Sequence, residues 1–337
     1  MGYSSQAGQV MVATQTAKGT AVADMSASGL AIKLRSGSLA PNRELLIPDP
    51  EIGGGRDTVD AYLGTVSFSG DYDFYARLES FATLLKGALG SASSAPDATN
   101  TGAHDHTITP SDANALPFLS VQERIGAGLE VFDYTDAVVN TLHLEAEANG
   151  YLTGTAGLIA VRQNAGGVAV ADPEWDNSPM IVGTNITLTY AGASLPAKSF
   201  SLDINNNFED DDFRLGSFYL GDLTPQNREV TASVTLRHDA AAMFRQATYG
   251  TTAATAPGGL TTKEPLVITC TTYENIAATA VKSSLTITLP EVILAPFAFE
   301  PSGADALEND IEMRAVRPNP AVGIMEAVIK NGRATIA

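Results

Sequence analysis

Residues 198–213, KSFSLDINNNFEDDDF, crowd seven acid or amide side chains and a glutamate into one short run, an oxygen density typical of calcium loops. A calcium loop of the helix-loop-helix type places oxygen ligands at alternate positions, glycine at the sixth and a bidentate glutamate at the twelfth. Counted from Asp203, Asn205 and Asn207 fit, but Phe208 stands at the sixth position and Arg214 at the twelfth, so no such cage closes. The residues before the acids carry the stronger pattern. Phe200, Leu202 and Ile204 alternate with Ser201, Asp203 and Asn205, the period of two that gives a strand one apolar and one wet face. The acids that follow are then its solvated turn.

The same alternation recurs in TVSFSG, NTLHLEAE, TNITLTY, EVTASVTLRH, PLVITCT and SSLTITL, segments rich in the β-branched and aromatic residues that suit a pleated surface. The chain is expected to be mainly β. Asn149-Gly150, between LHLEAEA and YLTGTAGLIAV, predicts a tight hairpin, because both residues tolerate positive φ. Helical spacing is clear in 76–90, where Leu78, Phe81, Ala82, Leu85 and Leu89 share one face and Gly90 can end the helix. A shorter helix is expected in 239–250, capped by Asp239 and stopped by Gly250.

With 337 residues, 44% of them hydrophobic, the chain can fill one large or two ordinary cores. Lys plus Arg is 20 against 38 Asp plus Glu, a net charge of −18. That balance excludes a protein that grips nucleic acid through phosphates, but not one that nucleic acid slides past. A single cysteine, Cys270, rules out an internal disulfide and, within PLVITCTTY, fits a small core hydrophobe. No apolar run reaches membrane-span length, and the opening MGYSSQAGQVMVATQ has no signal-peptide core. Synthesis in a cytosol is the expectation.

Signs of duplication accompany the strands. AYLG at 61–64 echoes FYLG at 218–221, while Arg77, Glu79, Ala82 and Gly90 echo Arg237, Asp239, Ala242 and Gly250. Each helix candidate is followed by a polar stretch, a long loop at about 91–115 and a shorter one at 251–264, both too poor in apolar residues to fold alone. The expected organisation is an N-terminal arm (1–24), a first β domain (25–165), a linker with the only tryptophan, Trp175 (166–183), a second β domain (184–320) and a C-terminal segment (321–337).

Motifs for chemistry are missing. His104-Asp105-His106 offers two imidazoles and a carboxylate, but no cysteine or Glu-His pair completes a tetrahedral zinc set. His143 and His238 lie in strand-like segments; no Gly-Xaa-Ser-Xaa-Gly elbow occurs, and the glycines at 53–55 lack the Lys-Ser/Thr of a phosphate loop. The pairs Glu145/Glu147 and Asp71/Asp73 each share a strand face. Glycosidase acids flank a substrate from different elements in an aromatic cleft, so an electrostatic wall fits these pairs better. No enzyme, cofactor or metal site is expected.

The order of features resembles a family. MVATQTAKGTAVA, the unit RDTVDAYLGTVSFSGDYDFYARLESFATLLKGALG, the polar loop, and DHTITPSDANALPFLSVQERIG with VVNTLHLEAEANGYLTGTAGLIAV are similar, over about residues 10–320, to tail tube (major tail) proteins of long-tailed bacteriophages, the siphoviruses. The resemblance implies β-sandwich or barrel-like units, each with a flanking helix, whose copies form a ring with a continuous inner β-barrel. Rings stack into a tube in the virion tail that conducts double-stranded DNA without holding it. Tape measure, tail terminator and tip proteins are the implied partners. If the two halves are duplicates, a sixfold ring can be built from three chains as a pseudo-hexamer, the alternative being six chains. Candidate lumen-facing acids are Glu145, Glu147, Asp203, Glu209, Asp210, Asp211 and Asp212. The alternative functions are another virion shell component, a capsid or decoration protein, or a β-rich adhesin module.

Overall fold

A computed structural model describes residues 4–53, 57, 60–113, 115–237, 241–277, 279–299, 306–319 and 322–336. The first half contains β1 (Gln9–Thr14), the one-turn helix α1 (Met25–Ser28), β2 (Leu30–Ile32), β3 (Leu34–Gly37), β4 (Ala40–Leu46) and β5 (Tyr62–Tyr75). Helix α2 (Leu78–Leu89) follows, then β6 (Gly90–Pro96), β7 (His104–Pro110), β8 (Leu119–Ile125), β9 (Glu130–Glu147) and β10 (Thr153–Ala165). The second half opens with β11 (Ile186–Tyr190), β12 (Ala193–Leu195), β13 (Ala197–Asn205), β14 (Phe208–Glu209), β15 (Thr224–Pro225) and β16 (Glu229–Arg237). It closes with helix α3 (Ala242–Tyr249), β17 (Glu264–Asn275), β18 (Lys282–Leu294), β19 (Glu308–Ala315) and β20 (Glu326–Asn331).

One antiparallel sheet takes 18 of these strands, leaving β14 and β15 to pair with each other. It doubles back into two layers. In the first, Phe74, Gly154, Leu144, Leu202, Ala232 and Met313 are successive partners across β5, β10, β9, β13, β16 and β19. In the second, Ile108, Ala327, Ile287, Ile268 and Leu188 are successive partners across β7, β20, β18, β17 and β11. Apart from Gly154, both rows belong to one buried core, as alternation demands when two sheets share a greasy interior. The layers connect where Val292 of β18 pairs with Ala315 of β19.

Helix α2 is set into this core, with Leu78, Phe81, Leu84, Leu85 and Leu89 all 1% exposed or less. Gly90 ends it in the left-handed conformation, φ 104°, and its N–H reaches the Lys86 carbonyl, as the sequence implies. Helix α3 stops at Gly250 (φ 96°) in the same way. Asp239, expected to cap it, and His238 lie outside the described residues.

Three expectations need correction. The long polar loop at 91–115 contains the hairpin β6–β7; it is ordered by pairing of β7 with β20 and by burial of Ile108, so tertiary contacts supply what its composition lacks. Within the expected N-terminal arm, Gln9–Thr14 form a buried strand between β2 and β8. Asn149-Gly150 does lie between β9 and β10, but neither residue has positive φ. The connection there runs over 148–152, and Gly150 N–H donates to the Glu147 carbonyl. The two-residue turn with positive φ at both positions is instead Ala191-Gly192 (φ 52° and 76°), joining β11 to β12.

Candidate functional site

Opposite its greasy side, the first layer presents a wet face that crosses both halves without a break. Ser36, Asp73, Thr155, His143, Asp203, Thr231 and Arg314 are partnered in turn across β3, β5, β10, β9, β13, β16 and β19. The next row reads Tyr75, Thr153, Glu145, Ser201, Ser233 and Glu312, and the one beyond it Glu147, Ser199, Thr235 and Asp310. The seam between halves is the β9–β13 pairing, seven residue pairs from Ser199↔Glu147 to Asn205↔Thr141.

Hydroxyl groups, more than cations, hold the acids on this face. Ser36 and Thr155 donate to Asp73 at 2.5 and 2.7 Å, and these bonds lower the Asp73 pKa from the ordinary carboxylate value. Thr153 donates to Glu145 at 3.2 Å. Ser199 donates to Thr235, which donates to Asp310 at 2.6 Å. Cations are fewer: Arg35 lies over the Tyr75 ring, Arg314 pairs with Glu229 at 2.6 Å, and Lys198 pairs with Glu308. At the seam, His143 Nδ1 is 2.6 Å from Asp203 and its Nε2 3.5 Å from Glu145. The Asp203 hydrogen bond, against the opposing effect of burial, raises the imidazole pKa from its ordinary value.

The fold therefore brings Glu145, Glu147 and Asp203 onto one face, and leaves Glu209, Asp210, Asp211 and Asp212 off it. Glu209 lies in the small β14–β15 pair, beyond a turn made by Asn206 and Asn207, the latter at φ 47°. Asp212 is held by Arg214 through two bonds of 3.1 and 2.6 Å. Asp71 and Asp73 were visible as a shared-face pair in the sequence, but Glu229, Asp310 and Glu312 were not recognised. The alternation of Asp310, Glu312 and Arg314 with Ile311 and Met313 was the available signal.

Asn206, in the middle of the run first suspected of metal binding, has a structural task. It is 1% exposed; its amide nitrogen donates to the carbonyls of Ala88 and Val139 at 3.0 and 2.9 Å, and its oxygen accepts from Arg228 Nε at 3.0 Å. Among the described residues no group of three or more His, Cys, Asp or Glu is arranged to hold a metal. His106 is enclosed, with Nδ1 2.7 Å from Ser94 Oγ and Nε2 2.9 Å from Asn331 Oδ1. Cys270 is buried, and burial pushes its thiol up to about 12, far from a reactive thiolate.

A second feature faces outward. All of β4 is exposed, and with the start of β5 it forms a hairpin carrying Leu45 opposite Leu63 and Leu46 opposite Tyr62. These four side chains are 50 to 63% exposed. The loop at 213–220 lies beside it: Val66 N–H donates to the Phe218 carbonyl, Arg43 sits over the Phe218 ring, and Phe218 is itself 61% exposed. Beyond β5, β4 has no strand partner among the described residues. No described helix is long and apolar enough to cross a membrane.

A family model described as "Phage tail tube protein" matches residues 5–315. No curated protein matches the chain.

Proposed function

The chain belongs to the phage tail tube proteins, non-enzymatic structural proteins of the virion tail that polymerise with themselves, and from that premise we propose that three copies close the first layer into a ring with its wet face inward. The observation that carries this reading is the unbroken row from Ser36 to Arg314: one chain supplies a continuous wall whose β4 margin has no strand partner beyond β5 among the described residues. Closing such margins side by side satisfies their backbone groups and leaves a pore. The rings then stack into the tube of a long-tailed phage, with tape measure, terminator and tip proteins as further partners.

Similarities in order between the two halves support three copies over six. Strand β5 leads to α2, then, after the β6–β7 hairpin that has no counterpart following α3, to β8, β9 and β10, with β10 placed between β5 and β9. Strand β16 leads to α3, then β17, β18 and β19, with β19 placed between β16 and the end of β18. Gly90 ends α2 as Gly250 ends α3, each left-handed, so that part of the sequence echo falls at like positions, whereas Arg77 stands directly before α2 and Arg237 closes β16. The other part does not: 62–64 open β5, whereas 218–220 lie in the excursion between β13 and β16.

In this arrangement Glu145, Glu147 and Asp203, with Asp71, Asp73, Glu229, Asp310 and Glu312, line the channel. A duplex passing them meets mostly like charge, and without cationic contacts it has little to bind. Replacing Glu145, Glu147 and Asp203 together by lysine is expected to leave tube assembly intact while cutting DNA delivery roughly tenfold or more, most severely at low salt. The check is infectivity and DNA release from virions carrying the triple variant; unchanged release would remove these residues from the channel wall.

A further inference from the structure

Strand β4 is paired to β5 from Ala40 to Leu46, but the side chains of the stretch around it enter the body at one point. From Arg35 to Leu46 the only buried side chain is Leu39, 4% exposed, between β3 and β4. The chain is pressed close to β5 at this bend: a Cβ on Gly37 (φ 116°) would lie 2.0 Å from the Asp71 carbonyl oxygen, and one on Gly70 would lie 2.1 Å from that of Ser38. Beneath the bend lies Glu123 of β8, 3% exposed. The Leu39 carbonyl accepts from the Tyr134 hydroxyl at 3.0 Å. That same hydroxyl lies 3.4 Å from Glu123 Oε2 and accepts from Gln163 Nε2 at 2.8 Å.

Tyr134 has one hydrogen and two acceptors competing for it. The titratable groups facing Glu123 are the phenols of Tyr134, from β9, and Tyr72, from β5. Arg124, next in β8, sends its guanidinium to the Ala7 carbonyl. Among the described residues no cation therefore offsets a charge on Glu123, and burial pushes its carboxyl up to about 7.

We propose that Glu123 is a proton-operated latch on the root of β4. Protonated, the acid can donate to the Tyr134 oxygen, leaving the phenol hydrogen on the Leu39 carbonyl and the bend held through it. Ionised, it draws that hydrogen to itself, and the Leu39 carbonyl loses its buried donor. The bend opens more often, and the hairpin loses its fixed exit direction. The sign follows from linkage: a buried acid with a raised pKa favours the closed form below the transition and disfavours it as pH rises through it. The consequence for polymerisation, that tubes form more readily below the transition than above it, rests on the assignment of the hairpin to contacts between copies; the latch itself does not.

The test is hydrogen exchange read by mass spectrometry on the full-length, unassembled chain at pH 6 and pH 8, corrected for intrinsic rates. Segment 38–46 is expected to open roughly tenfold more often at pH 8, following the ionised fraction of Glu123. Glu123→Gln, a permanent stand-in for the neutral acid, should stay at the low level at both pH values, and Tyr134→Phe, which removes the contested hydrogen, at the high level. A pH-independent wild type overturns the latch, as does a Glu123→Gln variant that keeps the wild-type response; if that variant does not fold, the wild-type ratio and Tyr134→Phe decide. Electron microscopy of the same samples separates the two claims: no tubes at either pH would count against the polymer reading and leave the exchange result standing.

Discussion

Asn206→Ala is expected to lower the melting temperature by roughly 5 °C, a loss of about 3–4 kcal/mol. The side chain joins three pieces that are remote in sequence: the last turn of α2 through Ala88, the middle of β9 through Val139, and Arg228 from the strand return. Truncation leaves two buried carbonyls short of a donor and a half-buried guanidinium short of an acceptor, and unmade bonds in such surroundings cost more than made bonds contribute. Arg228 also reaches the Leu89 and Ser111 carbonyls, so its displacement would loosen the end of α2 as well. Asn205→Ala is the control, because that side chain accepts only the Asn207 amide; its expected cost is about 1 kcal/mol or less. Thermal unfolding of both variants checks the contrast. Equal melting temperatures would mean that Asn206 does not lock the two halves together.

The double substitution Leu45→Glu with Leu63→Glu should abolish tubes while leaving the fold intact. The two leucines face each other on the exposed hairpin, at 53 and 56% exposure, so a charged pair there removes little internal packing. If a neighbouring copy covers them, burying both is worth about 4 kcal/mol, and losing that shifts the assembly equilibrium by roughly a thousandfold. Light scattering with a parallel melting curve distinguishes the outcomes. Normal tubes from the double variant would show that the hairpin does not lie between copies.

Much of this architecture was legible because period-two alternation survives wherever one strand face is buried and the other wet. Phe200, Leu202 and Ile204 went inward as their spacing demands, and Leu78 to Leu89 formed the helix that their spacing and Gly90 announce. Local composition failed where partners were remote. The Ser, Ala and Pro of 91–96 became a strand because β7 pairs with β20 and holds the hairpin in place. The acids at 209–212 follow Asp203 in sequence but leave its face, because the turn at Asn206 and Asn207 carries the chain away before they begin. Conversely, Asp310 and Glu312 join that face from far along the chain through the β16–β19 pairing, a neighbour relation that no local pattern encodes. Glu123, a charged residue on an otherwise apolar strand face, went unread in the sequence, because neither its burial nor the tyrosines it meets is set by local pattern.

Electron cryomicroscopy of tubes grown from the full-length chain tests the closed-ring account most directly. The predicted result is three chains per ring, with the β9–β13 seam repeated around the lumen and Glu145, Glu147 and Asp203 projecting into it. A density in which that face points to the outside of the tube, or in which six whole chains make one ring, would contradict it.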